Sequence, residues 1–180
     1  MSSNFLDFRQ RFDTDGYFVI KNFVNKDFIL RIIDEIEKSQ NSIKYFDNQN
    51  NLRRIEKLYD KGTNLIDLNE KISILLKKIF DKEFSIFKDK FNSKPPGGEG
   101  FFAHYDGIFE FINSKDEKKR GWYEYGDFFI SALIAIDKCD KENGALELAK
   151  SHNGDFAQLY KNTKKDGTPA LSDEVERKTK

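Results

Sequence analysis

His104 and Asp106 stand two positions apart in FFAHYDGIFEF, residues 101–111, and His104 is one of only two histidines in the chain. On a strand alternate side chains share a face, so an imidazole and a carboxylate at this spacing point the same way and can contact one cation. Nitrogen and oxygen donors together suit a divalent first-row metal. With one more histidine they make the facial triad that holds iron(II) and leaves coordination positions open. Taken alone a His-x-Asp pair is common, and a polar pair on a surface or edge strand is the simpler reading.

The other histidine, His152, is the obvious third donor on residue type, since a facial triad requires no particular spacing; a cupin-like metal protein would use His104, Asp106 and His152. The alternative is a polar loop residue. Cys139 is the single cysteine, which excludes an internal disulfide framework and a cysteine zinc cluster, and it reads as a small residue near a strand end. Arg53, Arg54 and Lys57 can face an anionic ligand, but a solvated charged face explains them as well. Gly97, Gly98 and Gly100 lack the Lys-Ser/Thr that follows in a phosphate loop and read as a flexible lead into the metal strand. Trp122, Tyr123 and Tyr125 suit either a substrate mouth or core and rim packing.

The elements that must position these residues differ between the two halves. Asp15-Gly16 makes a turn, and YFVIKNFV, residues 17–24, is rich in strand-forming types. Phe28, Ile29, Ile32, Ile33 and Ile36 then recur at helical spacing behind Asn25, a suitable N-cap. Residues 40–62 are polar and irregular apart from Leu52, Ile55, Leu58 and Tyr59. A second helical stripe, Leu68, Ile72, Leu75, Leu76 and Ile79, predicts a helix over 65–80 with Lys77 and Lys78 in its last turn. After Asp81 the apolar segments shorten: EFSIFKDKF, GFFAHYDGIFEFI, YGDFFISALIAID and GALELAK read as strands, and SKDEKKRG as a solvated loop. Helices first and strands afterwards predict a mostly β domain with flanking helices. From Asn153 onward the chain offers little to bury and reads as a flexible tail or a long loop.

A chain of 180 residues suits one domain, which we divide into residues 1–80, a helical and strand region, 81–152, the strands with the metal motif, and 153–180, the polar end. The 31 basic and 31 acidic residues cancel and are interspersed, so no field attracts nucleic acid or a lipid surface. The N-terminus lacks the apolar core of about 7–15 residues that marks a signal peptide, and no run approaches the ~20 needed to span a bilayer. A cytoplasmic protein with a small-molecule substrate is expected, with neither nucleic acid nor membrane as partner. Oligomeric state is left open. Eighteen Phe and seven Tyr can carry a core with few aliphatics.

Across residues 92–154, NSKPPGGEGFFAHYDG followed by FFISALIAIDKCDKENGALELAKSHNGD resembles the phytanoyl-CoA dioxygenase family of iron(II)- and 2-oxoglutarate-dependent oxygenases. The pieces are Lys94-Pro95-Pro96, His104-Tyr105-Asp106, a strand ending in an Asp-Lys turn, Asn143-Gly144-Ala145-Leu146 and Ser151-His152, and the Asp15-Gly16-Tyr17 opening adds to them. The resemblance implies a double-stranded β-helix, a cupin-like jelly roll with flanking helices. It implies His104 and Asp106 as iron(II) ligands, 2-oxoglutarate as cosubstrate, and hydroxylation of a small molecule or acyl derivative. A carboxylate at 106 resembles hydroxylating members more than halogenating ones. In the family Ser151-His152 would precede the distal ligand rather than supply it. The distal His and the following Arg for 2-oxoglutarate have no counterpart before Lys180, and Tyr105 and Lys150 stand where Gln and Gly are frequent. About five strands can be counted where a jelly roll needs about eight. The jelly roll is therefore expected to be incomplete at its C-terminal end, the sequence being the N-terminal part of a longer protein. A non-catalytic relative, acting as a binding or assembly module, is the alternative.

Overall fold

The structure is a computed structural model that describes residues 2–97, 100–149 and 154–179. The chain divides into two compact units, residues 1–99 with 134–143, and residues 100–133 with 144–180.

The first unit contains α1 (Ser2–Asp15), α2 (Lys26–Lys38), β1 (Ile43–Phe46), β2 (Leu52–Glu56), α3 (Thr63–Phe80) and β3 (Lys90–Asn92). α2 begins where the Asn25 side chain accepts the Phe28 N–H at 2.9 Å, replacing a partner the first turn cannot supply itself. Its apolar stripe delivers Phe28, Ile32 and Ile36 to the core, where they meet Ile55 of β2, Leu58, and Leu65 and Leu68 of α3. Ile134 and Ile136 pack against the same cluster, so the apolar run after residue 127 is anchored here at its far end.

Two segments differ from expectation. Residues 40–62 form a hairpin: β1 pairs antiparallel with β2, and β2 with β3, in the order β1-β2-β3. Its charged residues concealed the strand pattern but serve it, since Arg54 lies over the Tyr45 ring and pairs with Glu56, while Tyr45 donates to Glu56 across the strands. The Asp47 carboxylate accepts the Gln49 and Asn51 N–H groups at the bend. Residues 17–24 join no sheet among the described residues. Asn22 turns there with φ of 55°, and Phe18 stacks on Phe8 of α1 at 5.1 Å. α1 ends at Gly16, whose φ of 81° lets its N–H reach the Phe12 carbonyl.

The second unit contains the short hairpin β4 (Phe111–Ile112) and β5 (Lys118–Lys119), a 3-10 turn at Gly121–Glu124, α4 (Phe156–Tyr160) and α5 (Asp173–Thr179). Residues expected as a flexible or loop-like end are built into it. Phe156, Thr163, Ala170 and Leu171 are buried, and α4 opens with a capping box between Asp155 and Gln158. The correction has a clear cause: four well-spaced small or apolar residues suffice when backbone pairing holds them in place.

The sheets are small and antiparallel, with helices beside them, and no closed barrel forms among the described residues. Residues 127–137 and 144–149, expected as strands, carry no ladder there, because a strand exists only against a hydrogen-bonded neighbour. Among the described residues no helix is long and apolar enough to cross a membrane.

Candidate metal centre

The segment around His104 is extended because it pairs with residues 169–171. His104 forms an antiparallel bridge with Ala170, the Tyr105 N–H donates to the Pro169 carbonyl at 3.2 Å, and the Leu171 N–H donates to the Ala103 carbonyl at 2.9 Å. On its other side the 169–171 segment pairs with Thr163 and its neighbours, through Lys164 N–H to the Ala170 carbonyl at 2.8 Å and a Thr163–Leu171 bridge. Residues 169–171 thus supply the backbone neighbour of the segment around His104. Among the described residues this was the largest omission of the sequence reading; its trace lies in Thr168-Pro169-Ala170-Leu171, a short apolar stretch within charged surroundings.

His104 lies in the bridge and Asp106 in the turn that follows it, and the two side chains meet there. His104 Nε2 stands 3.4 Å from Asp106 Oδ1, with both side chains partly exposed. His104 Nδ1 lies 2.8 Å from the Phe102 carbonyl oxygen. A carbonyl only accepts, so Nδ1 carries the proton, and in the neutral ring the Nε2 lone pair faces the carboxylate. Such an outer hydrogen bond from one ring nitrogen is the usual means of orienting a ligating imidazole through the other. The second carboxylate oxygen, Asp106 Oδ2, accepts the Ser131 hydroxyl at 2.9 Å.

A protonated imidazole would meet the carboxylate as an ion pair, and a neutral one leaves two acceptors between which a metal cation fits. Donors about 2.1 Å from one metal and set at right angles lie roughly 3 Å apart, so the pair fits a divalent ion with only a small closing movement. No group of three His, Cys, Asp or Glu side chains suited to a metal occurs among the described residues. His152 and Ser151 lie outside the described residues.

Directly after the motif the chain reverses. Gly107, with φ of 76°, occupies a turn in which the Ile108 N–H reaches back toward the Tyr105 carbonyl. A β-carbon at 107 would stand 2.8 Å from Trp122 Cγ, so glycine is required both by the backbone and by the indole lying on it. Trp122 is half-buried against Phe129, and Tyr123 meets Phe156 edge-on at 5.5 Å. These two aromatics therefore pack, whereas Tyr125 is 70% exposed.

The remaining candidates resolve simply. Arg54 is engaged with Glu56 and Tyr45 in the first unit. Cys139 is exposed just before the turn at residues 140–143 rather than at a strand end, its thiol directed at the Asp137 carbonyl. In the same turn the Asn143 side chain accepts the Asp140 N–H at 2.9 Å and donates to the Lys138 carbonyl, which gives the Asp-Lys turn and the Asn-Gly pair a shared structural purpose.

Comparison with known proteins bears on the same stretch. The chain is 26% identical over 150 residues to a 2-aminoethylphosphonate dioxygenase of uncultured bacterium HF130_AEPn_1, an alignment covering 75% of this chain and 53% of that protein. The chain spans about half the length of this curated relative. No solved structure matches this chain. The phytanoyl-CoA dioxygenase profile matches residues 12–179, taking in the α1 end, the paired His104 and Asp106, and the 169–171 segment that aligns them; the chain belongs to the phytanoyl-CoA dioxygenase family.

Proposed function

We propose that this chain forms the metal-binding part of an iron(II)- and 2-oxoglutarate-dependent dioxygenase that hydroxylates a small molecule or acyl derivative. The observation that carries this reading is the facing of His104 Nε2 and Asp106 Oδ1 at 3.4 Å, within a chain of this family. His104 and Asp106 would hold the metal. When bound, iron(II) supplies open positions at which 2-oxoglutarate and dioxygen react, one oxygen atom going to succinate as carbon dioxide is released and the other to a C–H bond of the substrate.

The chain's own residues prepare this site. The Phe102 carbonyl keeps the imidazole proton on Nδ1, so that Nε2 is presented as a donor. The pairing of residues 103–105 with 169–171 holds the backbone at His104, and the turn at Asp106-Gly107, closed by the Ile108 N–H on the Tyr105 carbonyl, carries Asp106.

The test is 2-oxoglutarate decarboxylation by the full-length protein with and without iron(II), using a substrate panel that includes 2-aminoethylphosphonate, the compound in the relative's name. Iron-dependent turnover that disappears in His104→Ala is expected. Undiminished turnover in that variant would remove the proposal.

A second reading, a non-catalytic binding or assembly module, draws on the lack of a three-donor group among the described residues. A tight complex of iron(II) and 2-oxoglutarate with residues 1–180 alone would count against it.

A further inference from the structure

We infer that Ser131 is a positioning residue for the metal carboxylate, holding Asp106 in the rotamer that turns Oδ1 toward His104; this rests on the proposed metal site. Residues 128–136 read Phe-Phe-Ile-Ser-Ala-Leu-Ile-Ala-Ile, so Ser131 is the one polar side chain in a nine-residue apolar run. Its hydroxyl donates to Asp106 Oδ2 at 2.9 Å, while Oδ1 of the same carboxylate lies 3.4 Å from His104 Nε2.

The arrangement answers a physical need. The terminal torsion of an aspartate is broad, and a partly exposed carboxylate samples it freely unless something holds one oxygen. Binding a metal through Oδ1 would then cost the entropy of fixing that torsion. The Ser131 hydrogen bond fixes it in advance, as the Phe102 carbonyl fixes the imidazole. Each ligand is thus held by its outward atom, with the inward atoms left to converge. The two holding groups come from different places: one from the motif's own strand, the other from a run that follows the Trp122 turn.

The experiment titrates the full-length protein with cobalt(II), reading the metal's visible absorption, for wild type, His104→Ala, Ser131→Ala and Ser131→Thr, with thermal unfolding of each apo-protein alongside. Loss of an outer hydrogen bond to a ligand weakens metal binding by about tenfold or more. Ser131→Ala should show that loss with an unchanged melting temperature, and Ser131→Thr, which restores the hydroxyl, should recover most of the affinity. If Ser131→Ala binds cobalt(II) as wild type does while His104→Ala does not, the role of Ser131 is overturned and the metal site stands. If Ser131→Thr remains as weak as Ser131→Ala, the hydroxyl is not the cause and the inference also fails. If His104→Ala binds as wild type does, or wild type binds none, the metal site itself is wrong and Ser131 has nothing to position.

Discussion

The Glu35 carboxylate of α2 caps the start of α3: Oε1 accepts the Asn64 N–H at 3.0 Å and Oε2 the Leu65 N–H at 2.9 Å. α3 is preceded by Gly62, which has no side chain to offer, so one helix supplies the cap of the other. A β-carbon at 62 would lie 2.2 Å from Glu35 Oε2, and glycine is what admits the carboxylate.

Replacing Glu35 with Ala leaves two helix N–H groups without their acceptor and should cost about 1–2 kcal/mol in urea unfolding. Burial pushes the Glu35 carboxyl up, but the hydrogen bonds from Asn64 and Leu65 outweigh it and hold the group below its ordinary value of 4.5. A lowered folded value means that the contribution is complete above the unfolded value and is lost as pH falls through the folded one. The gap between wild type and Glu35→Ala should therefore narrow below about pH 4.5. A gap that stays constant to pH 3 would show that the carboxylate's charge is not involved.

Ile32 is 1% exposed in the core of the first unit, while Leu30, two positions earlier on the same helix, is 54% exposed. Ile32→Ala should destabilise by about 2–4 kcal/mol and Leu30→Ala by less than about 0.5. Equal effects in denaturant titrations would mean that α2 presents a different face to the core.

Gly107→Ala combines an unfavourable positive φ with a β-carbon driven into Trp122. We expect a loss of about 2 kcal/mol in thermal unfolding, accompanied by weaker cobalt(II) binding, because the turn carries Asp106 with it. A variant as stable as wild type would place the turn elsewhere.

Leu171→Pro removes the N–H that donates to the Ala103 carbonyl. Hydrogen exchange should show the Tyr105 amide, bonded to the Pro169 carbonyl, protected in wild type and exposed in this variant. Unchanged protection of Tyr105 would mean that the motif is held without its partner segment.

How much of this was legible in the sequence follows the range of the forces involved. Helices α2 and α3 announced themselves through period, and the Asn25 cap lies where its side chain predicts, because both are decided within a few residues. The nearness of His104 and Asp106 was legible for the same reason, since they stand two positions apart. The hairpin of β1 and β2 escaped because its stabilising pairs, Tyr45 with Arg54 and Glu56, join an aromatic ring to charged residues and matter only across strands. Ser131 and the 169–171 segment escaped because their partners lie far along the chain. Conversely, the apolar runs after residue 127 have strand composition, but Ile134 and Ile136 are drawn into the helical core of the first unit. Composition reports what a segment can do, and its neighbours decide which option it takes.

The bridge between His104 and Ala170 also has a consequence in time. A ribosome adds about 5–20 residues per second, so residues 103–105 emerge roughly 3–13 seconds before the segment that pairs with them. Until then the edge at residues 103–105 displays its amides and carbonyls to any other nascent strand. The charged stretch Ser-Lys-Asp-Glu-Lys-Lys-Arg, residues 114–120, emerges soon after the motif and long before its partner. Charged side chains beside an open edge discourage pairing with the wrong chain, so these residues would guard that edge during synthesis.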